Sequence, residues 1–229
     1  GVAWMARNFY GALKVYEVTE GGYLSMLHGQ IIHGQQFTDD QRRRQPTSYY
    51  TPNAGAGMAV QAKAAQGPIK VGVVGVGVGT LVTYGRAGDD YRLYDIDPLV
   101  IQMAQQKFTY LRDTAARTEV VLGDARLQLE RESAQGYDVL VVDAFSGDSV
   151  PIHLLTREAF ALYFKHLKPD GVLAVHITNR FLDLLPVLQT AATHFGKTAR
   201  LVEHEGQRSE LSFSSRWVLV SGDATFFDQ

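Results

Sequence analysis

Three aspartates, each at or just beyond the end of an apolar run, are the residues of this chain best suited to chemistry. The runs Tyr91–Asp95, Glu119–Leu122 and Tyr137–Val142 read as buried strands. They deliver Asp95, Gly123-Asp124-Ala125 and Asp143. A carboxylate at the carboxyl end of such a strand stands where open α/β sheets gather their ligands. Asp95 can accept hydrogen bonds from both hydroxyls of a ribose. Asp124 can accept from an adenine amino group while Ala125 leaves room for the ring, and it is equally suited to cap the helix that follows. Asp143 can attract a protonated amine and accept its proton, leaving a lone pair for in-line attack on carbon. Its plainer role is to cap the loop that begins there.

What these aspartates would face is set by Val71-Gly72-Val73-Val74-Gly75-Val76-Gly77-Val78-Gly79-Thr80, a strand entering a glycine-rich turn and then a helix. Gly75, Gly77 and Gly79 let the backbone approach a ligand and leave amides pointing at it. In dinucleotide sites the third glycine follows the second by three positions, whereas Gly79 follows Gly77 by two. With no phosphate-binding Lys-Ser/Thr pair, this spacing points to a nucleoside without a pyrophosphate, such as adenosylmethionine or a relative. After Asp143 the segment Ala144-Phe145-Ser146-Gly147-Asp148-Ser149-Val150-Pro151 has the makeup of a loop able to close over a substrate, with Ser146 and Asp148 facing it.

The elements that must position these residues follow a strand, helix, strand rhythm from Lys70 onward. Strands are expected at Lys70–Val74, Tyr91–Asp95, Glu119–Leu122, Tyr137–Val142, Val172–Ile177, Thr198–Glu203 and Trp217–Ser221. Helices are expected at Pro98–Phe108, Ala125–Ser133, Thr156–His166 and Leu182–His194. The pattern implies a mostly parallel seven-stranded sheet with helices on both faces, a Rossmann-like α/β fold whose last two strands pair antiparallel. Upstream, Asn8–Glu20 and Tyr23–Phe37 show β patterning broken at Gly21-Gly22 and His28-Gly29, and Asn53 to Gln66 suits a helix. Two domains are therefore expected: a small antiparallel β unit with its loop over 1–52, and the catalytic domain over 53–229.

Composition narrows the function. The 229 residues carry a net charge of −2, and the basic residues are scattered apart from Arg42, Arg43 and Arg44, which reads as a solvated loop. No footprint for a nucleic-acid partner exists. Cysteine is absent, so thiolate chemistry and cysteine-ligated zinc are excluded. The seven histidines show no recurring ligand spacing, and a metal is not expected. His176 ends a strand near the expected pocket, where it either touches substrate or serves as a hydrogen-bonded core residue. Trp4, Trp217, Tyr10, Tyr16, Phe160, Tyr163 and Phe164 read as packing residues. No run is long enough for a membrane helix, so a cytoplasmic location is expected.

Together, Gly75-Val76-Gly77-Val78-Gly79-Thr80, Tyr94-Asp95-Ile96-Asp97-Pro98, Gly123-Asp124-Ala125, and Asp143 with its loop and Leu154-Leu155-Thr156-Arg157-Glu158-Ala159-Phe160 resemble the spermidine synthases. Leu27-His28-Gly29-Gln30 through Gln35-Gln36, then Tyr49-Tyr50, is similar to that family's N-terminal β unit. The resemblance implies a class I methyltransferase fold. It also implies transfer of an aminopropyl group from decarboxylated S-adenosylmethionine to a small amine, releasing methylthioadenosine. By the same resemblance Asp95, with Ile96 beside it, binds the ribose, Asp124 and Ala125 the adenine, and Gln36 approaches the methionine-derived chain. Asp143 is then the base, and Tyr49 or Tyr50 lines the amine channel. Two positions depart from the family pattern. Ser146 replaces a second aspartate, with Asp148 slightly farther on, and Tyr49-Tyr50 leads to Thr51-Pro52 where the family has a glutamate that grips a distal amine. Methyl transfer from intact S-adenosylmethionine to a small molecule, or nucleoside binding without catalysis, would use the same stations. The likeness extends to a bacterial branch with members fused behind membrane helices, which implies a parent with an upstream membrane domain. The family also implies a homo-oligomer.

Overall fold

In a computed structural model of the chain, residues 1–143, 151–179 and 182–229 are described. Expected positions Ser146 and Asp148 lie outside them. Four strands, β1 (Val2–Asn8), β2 (Gly11–Val18), β3 (Tyr23–His28) and β4 (Ile31–Phe37), form an antiparallel sheet in sequential order. Alternation in β2 buries Leu13 and Val15, and these pack with Met26 of β3 into the same apolar cluster as Val76 and Val78 of the glycine turn. The β unit is thereby pressed onto the glycine turn by shared burial, the dominant favourable force available to it.

The second sheet holds β5 (Lys70–Val74), β6 (Asp90–Asp95), β7 (Arg117–Leu122), β8 (Tyr137–Val142), β9 (Leu167–His176), β10 (Thr198–His204) and β11 (Ser215–Ser221). Their order is β10-β11-β9-β8-β5-β6-β7. Strands β5 to β9 run parallel, and β11 is antiparallel to both β9 and β10. The antiparallel pair is as expected, with β11 inserted inside the sheet. Beyond Lys70 and Asp138 near their entry ends, the central strands β5 and β8 are apolar because both faces are covered. Val139 and Val141 face a cluster with α1 (Gly55–Ala64) and α2 (Pro98–Gln106). Leu140 and Val142 face another with α4 (Ala125–Arg131), α5 (Arg157–His166) and α6 (Leu185–His194).

Three details differ from expectation. The glycine turn runs into one 3₁₀ segment, Thr80–Tyr84, and not into an α-helix. Val82 and Thr83 are β-branched, and Gly85 and Gly88 follow, so local propensity stops the helix early. A short helix, α3 (Tyr110–Asp113), was not apparent from periodicity. Tyr10, read as core, sits 39% exposed at the β1–β2 turn. Among the described residues no helix is long and apolar enough to cross a membrane.

Candidate active site

A cavity of about 1020 Å³ opens at the carboxyl ends of β5 to β9, roofed by the β1–β2 and β3–β4 turns. That volume is at the upper end for small-molecule sites and suits a nucleoside together with a second small substrate. Gly75 and Gly77 form its floor beside Asp95, Ile96, Asp124, Ala125 and Asp143. Convergence follows from topology. Parallel neighbours end on one edge, and the register pairs Val74 with both Tyr94 and Val142, so the residues after each strand meet.

Each aspartate is held before any ligand arrives. Asp95 accepts from the Val76 amide at 2.9 Å and the Asp97 amide at 3.0 Å. Burial pushes its carboxyl up to about 6, because two amide bonds offset only part of the desolvation and Asp97 adds repulsion. Asp124 caps a helix and also lines the cavity. One oxygen caps α4 through the Leu127 amide at 3.1 Å, and the other meets His153 Nε2 at 3.0 Å, while the residue still lines the cavity. Asp97 accepts from the Leu99 amide at the start of α2 and from Asn8 Nδ2, which fastens the end of β1 to the end of β6.

Asp143 is the most elaborately supported. The Tyr50 hydroxyl donates to its Oδ2, and His176 Nδ1 lies 2.9 Å from its Oδ1. Burial raises its carboxyl, but the charge and hydrogen bond of His176, the Tyr50 bond and the charge of His33 outweigh it, so the pKa falls below the ordinary value. Tyr50 is driven well above the ordinary phenol by burial and by Asp143, so it remains a donor. His33 also lines the cavity, and burial with the neighbouring His28 lowers it to about 4, leaving it neutral at pH 7.

Several expected residues take other positions. Gln36 is 2% exposed and does not line the cavity. Its amide nitrogen donates to the Arg43 carbonyl and Thr109 Oγ1, and its oxygen accepts from the Thr109 amide. It ties β4 to the segment before α3. Gly79 faces Leu111, not the cavity; it supplies the positive φ, +86°, that begins the 3₁₀ turn. Tyr49 lines the cavity, whereas Tyr50 reaches it only through Asp143. Sequence reading missed Gln30, His33 and Phe213 on the wall. His33 is aimed there by a β-bulge: Leu27 pairs with Ile32 and Met26 with Gly34, so His33 is the unpaired extra residue.

Among the described lining residues there are four aspartates, Asp95, Asp97, Asp124 and Asp143, and no lysine or arginine. Such a site favours a cationic ligand. The sequence profile of the spermine/spermidine synthase domain matches residues 60–200. This chain belongs to the spermine/spermidine synthase family. A polyamine aminopropyltransferase of Vibrio vulnificus is 28% identical over 188 residues, covering 77% of this chain and 60% of that protein. The chain thus spans less than two thirds of that relative's length. Spermidine synthase from Thermotoga maritima superposes with a TM-score of 0.70 at 18% identity, covering 99% of this chain and 75% of that one. Human methyltransferase-like protein 13, solved with SAH, superposes with a TM-score of 0.55 at 19% identity over 72% of this chain and 78% of its own. The fold is therefore the class I methyltransferase fold, with a separate four-stranded antiparallel sheet at the N-terminus.

Proposed function

We propose that this chain transfers an aminopropyl group from decarboxylated S-adenosylmethionine to a small amine, releasing methylthioadenosine. The observation that carries this reading is the charge of the cavity: four carboxylates and, among the described residues, no lysine or arginine. Decarboxylated S-adenosylmethionine presents a sulfonium and an ammonium, both cations. Intact S-adenosylmethionine adds a carboxylate that finds no lysine or arginine among the described lining residues. About 5 Å from Asp143, at an effective dielectric near 20, that carboxylate would be repelled by about 3 kcal/mol.

Asp95 accepts from the ribose hydroxyls through the lone pairs left over after its two amide bonds. Asp124 accepts from the adenine amino group beside Ala125. Asp143, ionised throughout the working range, draws the acceptor's ammonium against the wall formed by Tyr49 and Phe213, and takes the proton that frees the nitrogen lone pair. The nitrogen then attacks the aminopropyl methylene carbon bound to sulfur. A carbon–nitrogen bond forms, the carbon–sulfur bond breaks, and its electron pair stays on sulfur as a neutral thioether. Incubation with labelled decarboxylated S-adenosylmethionine and a panel of small amines, read by mass, tests this. An aminopropylated amine plus methylthioadenosine is expected, and absence of both products across the panel refutes it.

A further inference from the structure

His176 joins a closed line of hydrogen bonds that ends on Asp143. The Arg216 amide donates to Thr178 Oγ1 at 2.8 Å, Thr178 Oγ1 lies 2.6 Å from His176 Nε2, and His176 Nδ1 lies 2.9 Å from Asp143 Oδ1. An ionised carboxylate only accepts, so Nδ1 carries a proton. The Thr178 oxygen receives the Arg216 amide and lies within hydrogen-bond distance of Nε2. The ring cannot turn away: it stacks on Trp217 at 4.7 Å and 20°, and Tyr49 packs on it at 4.5 Å. Trp217 is itself fully buried and donates from its indole nitrogen to the Tyr49 carbonyl at 3.2 Å. Each member of this assembly therefore fixes the next.

Tyr50 closes the other side of the carboxylate. With one oxygen tied to His176 and the other to Tyr50, Asp143 keeps a single orientation, and each oxygen retains a lone pair for the substrate. We propose that His176 is a positioning residue for aminopropyl transfer, holding Asp143 in the one rotamer whose free lone pairs face the incoming amine. This rests on the proposed function. The requirement is geometric, because misplacing a reacting group by about 1 Å costs on the order of 10²-fold in rate. Among the described residues, the charged and titratable groups facing Asp143 come from several elements: His33 on β4, Tyr49 and Tyr50 after it, and His176 on β9. Of these, His176 and Tyr50 bond it directly.

The test compares His176→Phe, which keeps the ring and its stacking, with His176→Asn, whose amide nitrogen can occupy the Nδ1 position. His176→Phe is expected to lower kcat by roughly 10²-fold with little change in methylthioadenosine affinity, and His176→Asn to recover most of that loss. Carbon-labelled aspartate followed by NMR, without any substrate, reads Asp143 itself. Its titration is expected to move upward in His176→Phe and to return toward the wild-type value in His176→Asn. Equal kcat losses in the two variants, or an Asp143 titration identical in wild type and His176→Phe, would overturn the proposal. Lack of aminopropyl transfer by the wild type would instead refute the proposed function while leaving the titration result readable.

Discussion

Asp95 offers the sharpest numerical prediction. Its carboxyl lies between the Val76 and Asp97 amides, and burial pushes it up to about 6. Ribose hydroxyls donate, so they bind the ionised form, and proton and nucleoside compete for one carboxylate. Affinity is therefore complete above that value and is lost as the pH falls through it. For strict competition the apparent Kd scales as one plus ten to the power of the pKa minus the pH. Affinity falls about twofold at pH 6, about tenfold at pH 5, and about another tenfold for each further unit. A carboxyl with an ordinary pKa near 3.9 would lose less than about 10% at pH 5. Calorimetric titration with methylthioadenosine isolates this effect, because that ligand carries no ammonium for Asp143. Circular dichroism at each pH verifies that the fold persists. Asp95→Asn should bind weakly and without this pH dependence. Affinity that stays flat from pH 7 to pH 5, or an Asp95→Asn variant that keeps the wild-type dependence, would refute the reasoning.

Two substitutions separate chemistry from scaffold. Asp143→Asn removes the negative charge and the proton acceptor; turnover should fall by roughly 10²- to 10⁴-fold while methylthioadenosine affinity stays within about threefold, and an unchanged rate would remove Asp143 from the reaction. Gly34→Val should destabilise the chain, since a Cβ there would lie 2.6 Å from Val78 Cγ2, where β4 presses on the glycine turn. Overpacking of this kind costs about 1–3 kcal/mol and lowers Tm by several degrees, with nucleoside affinity falling in parallel as Val78 displaces the turn. An unaltered melt would show that β4 does not brace the turn.

The sheet was legible because strands buried on both faces are apolar through their centres. Lys70–Val74 and Tyr137–Val142 have the boundaries expected from sequence, and the acids that close these runs arrive at one edge as parallel topology demands. Residues that act through distant partners were not legible. Gln36 was assigned to the ligand by the family resemblance alone, yet its partner Thr109 is 73 positions away, and nothing local announces the pairing. His33 reaches the cavity because of a bulge, which breaks the twofold alternation that a strand reading relies on. Tyr50 and His176 meet Asp143 across 93 and 33 residues, contacts that only the folded sheet defines. The 3₁₀ segment after Gly79 could have been anticipated from Val82, Thr83 and Gly85, whose propensities oppose a helix.

Direct comparison of decarboxylated and intact S-adenosylmethionine by calorimetry, with the protein and buffer held constant, probes the charge of the cavity itself. With Asp95, Asp97, Asp124 and Asp143 around the ligand and no lysine or arginine among the described lining residues, the decarboxylated compound should bind about 100-fold more tightly, matching a repulsion of about 3 kcal/mol. Equal affinities, or preference for the intact compound, would contradict the account.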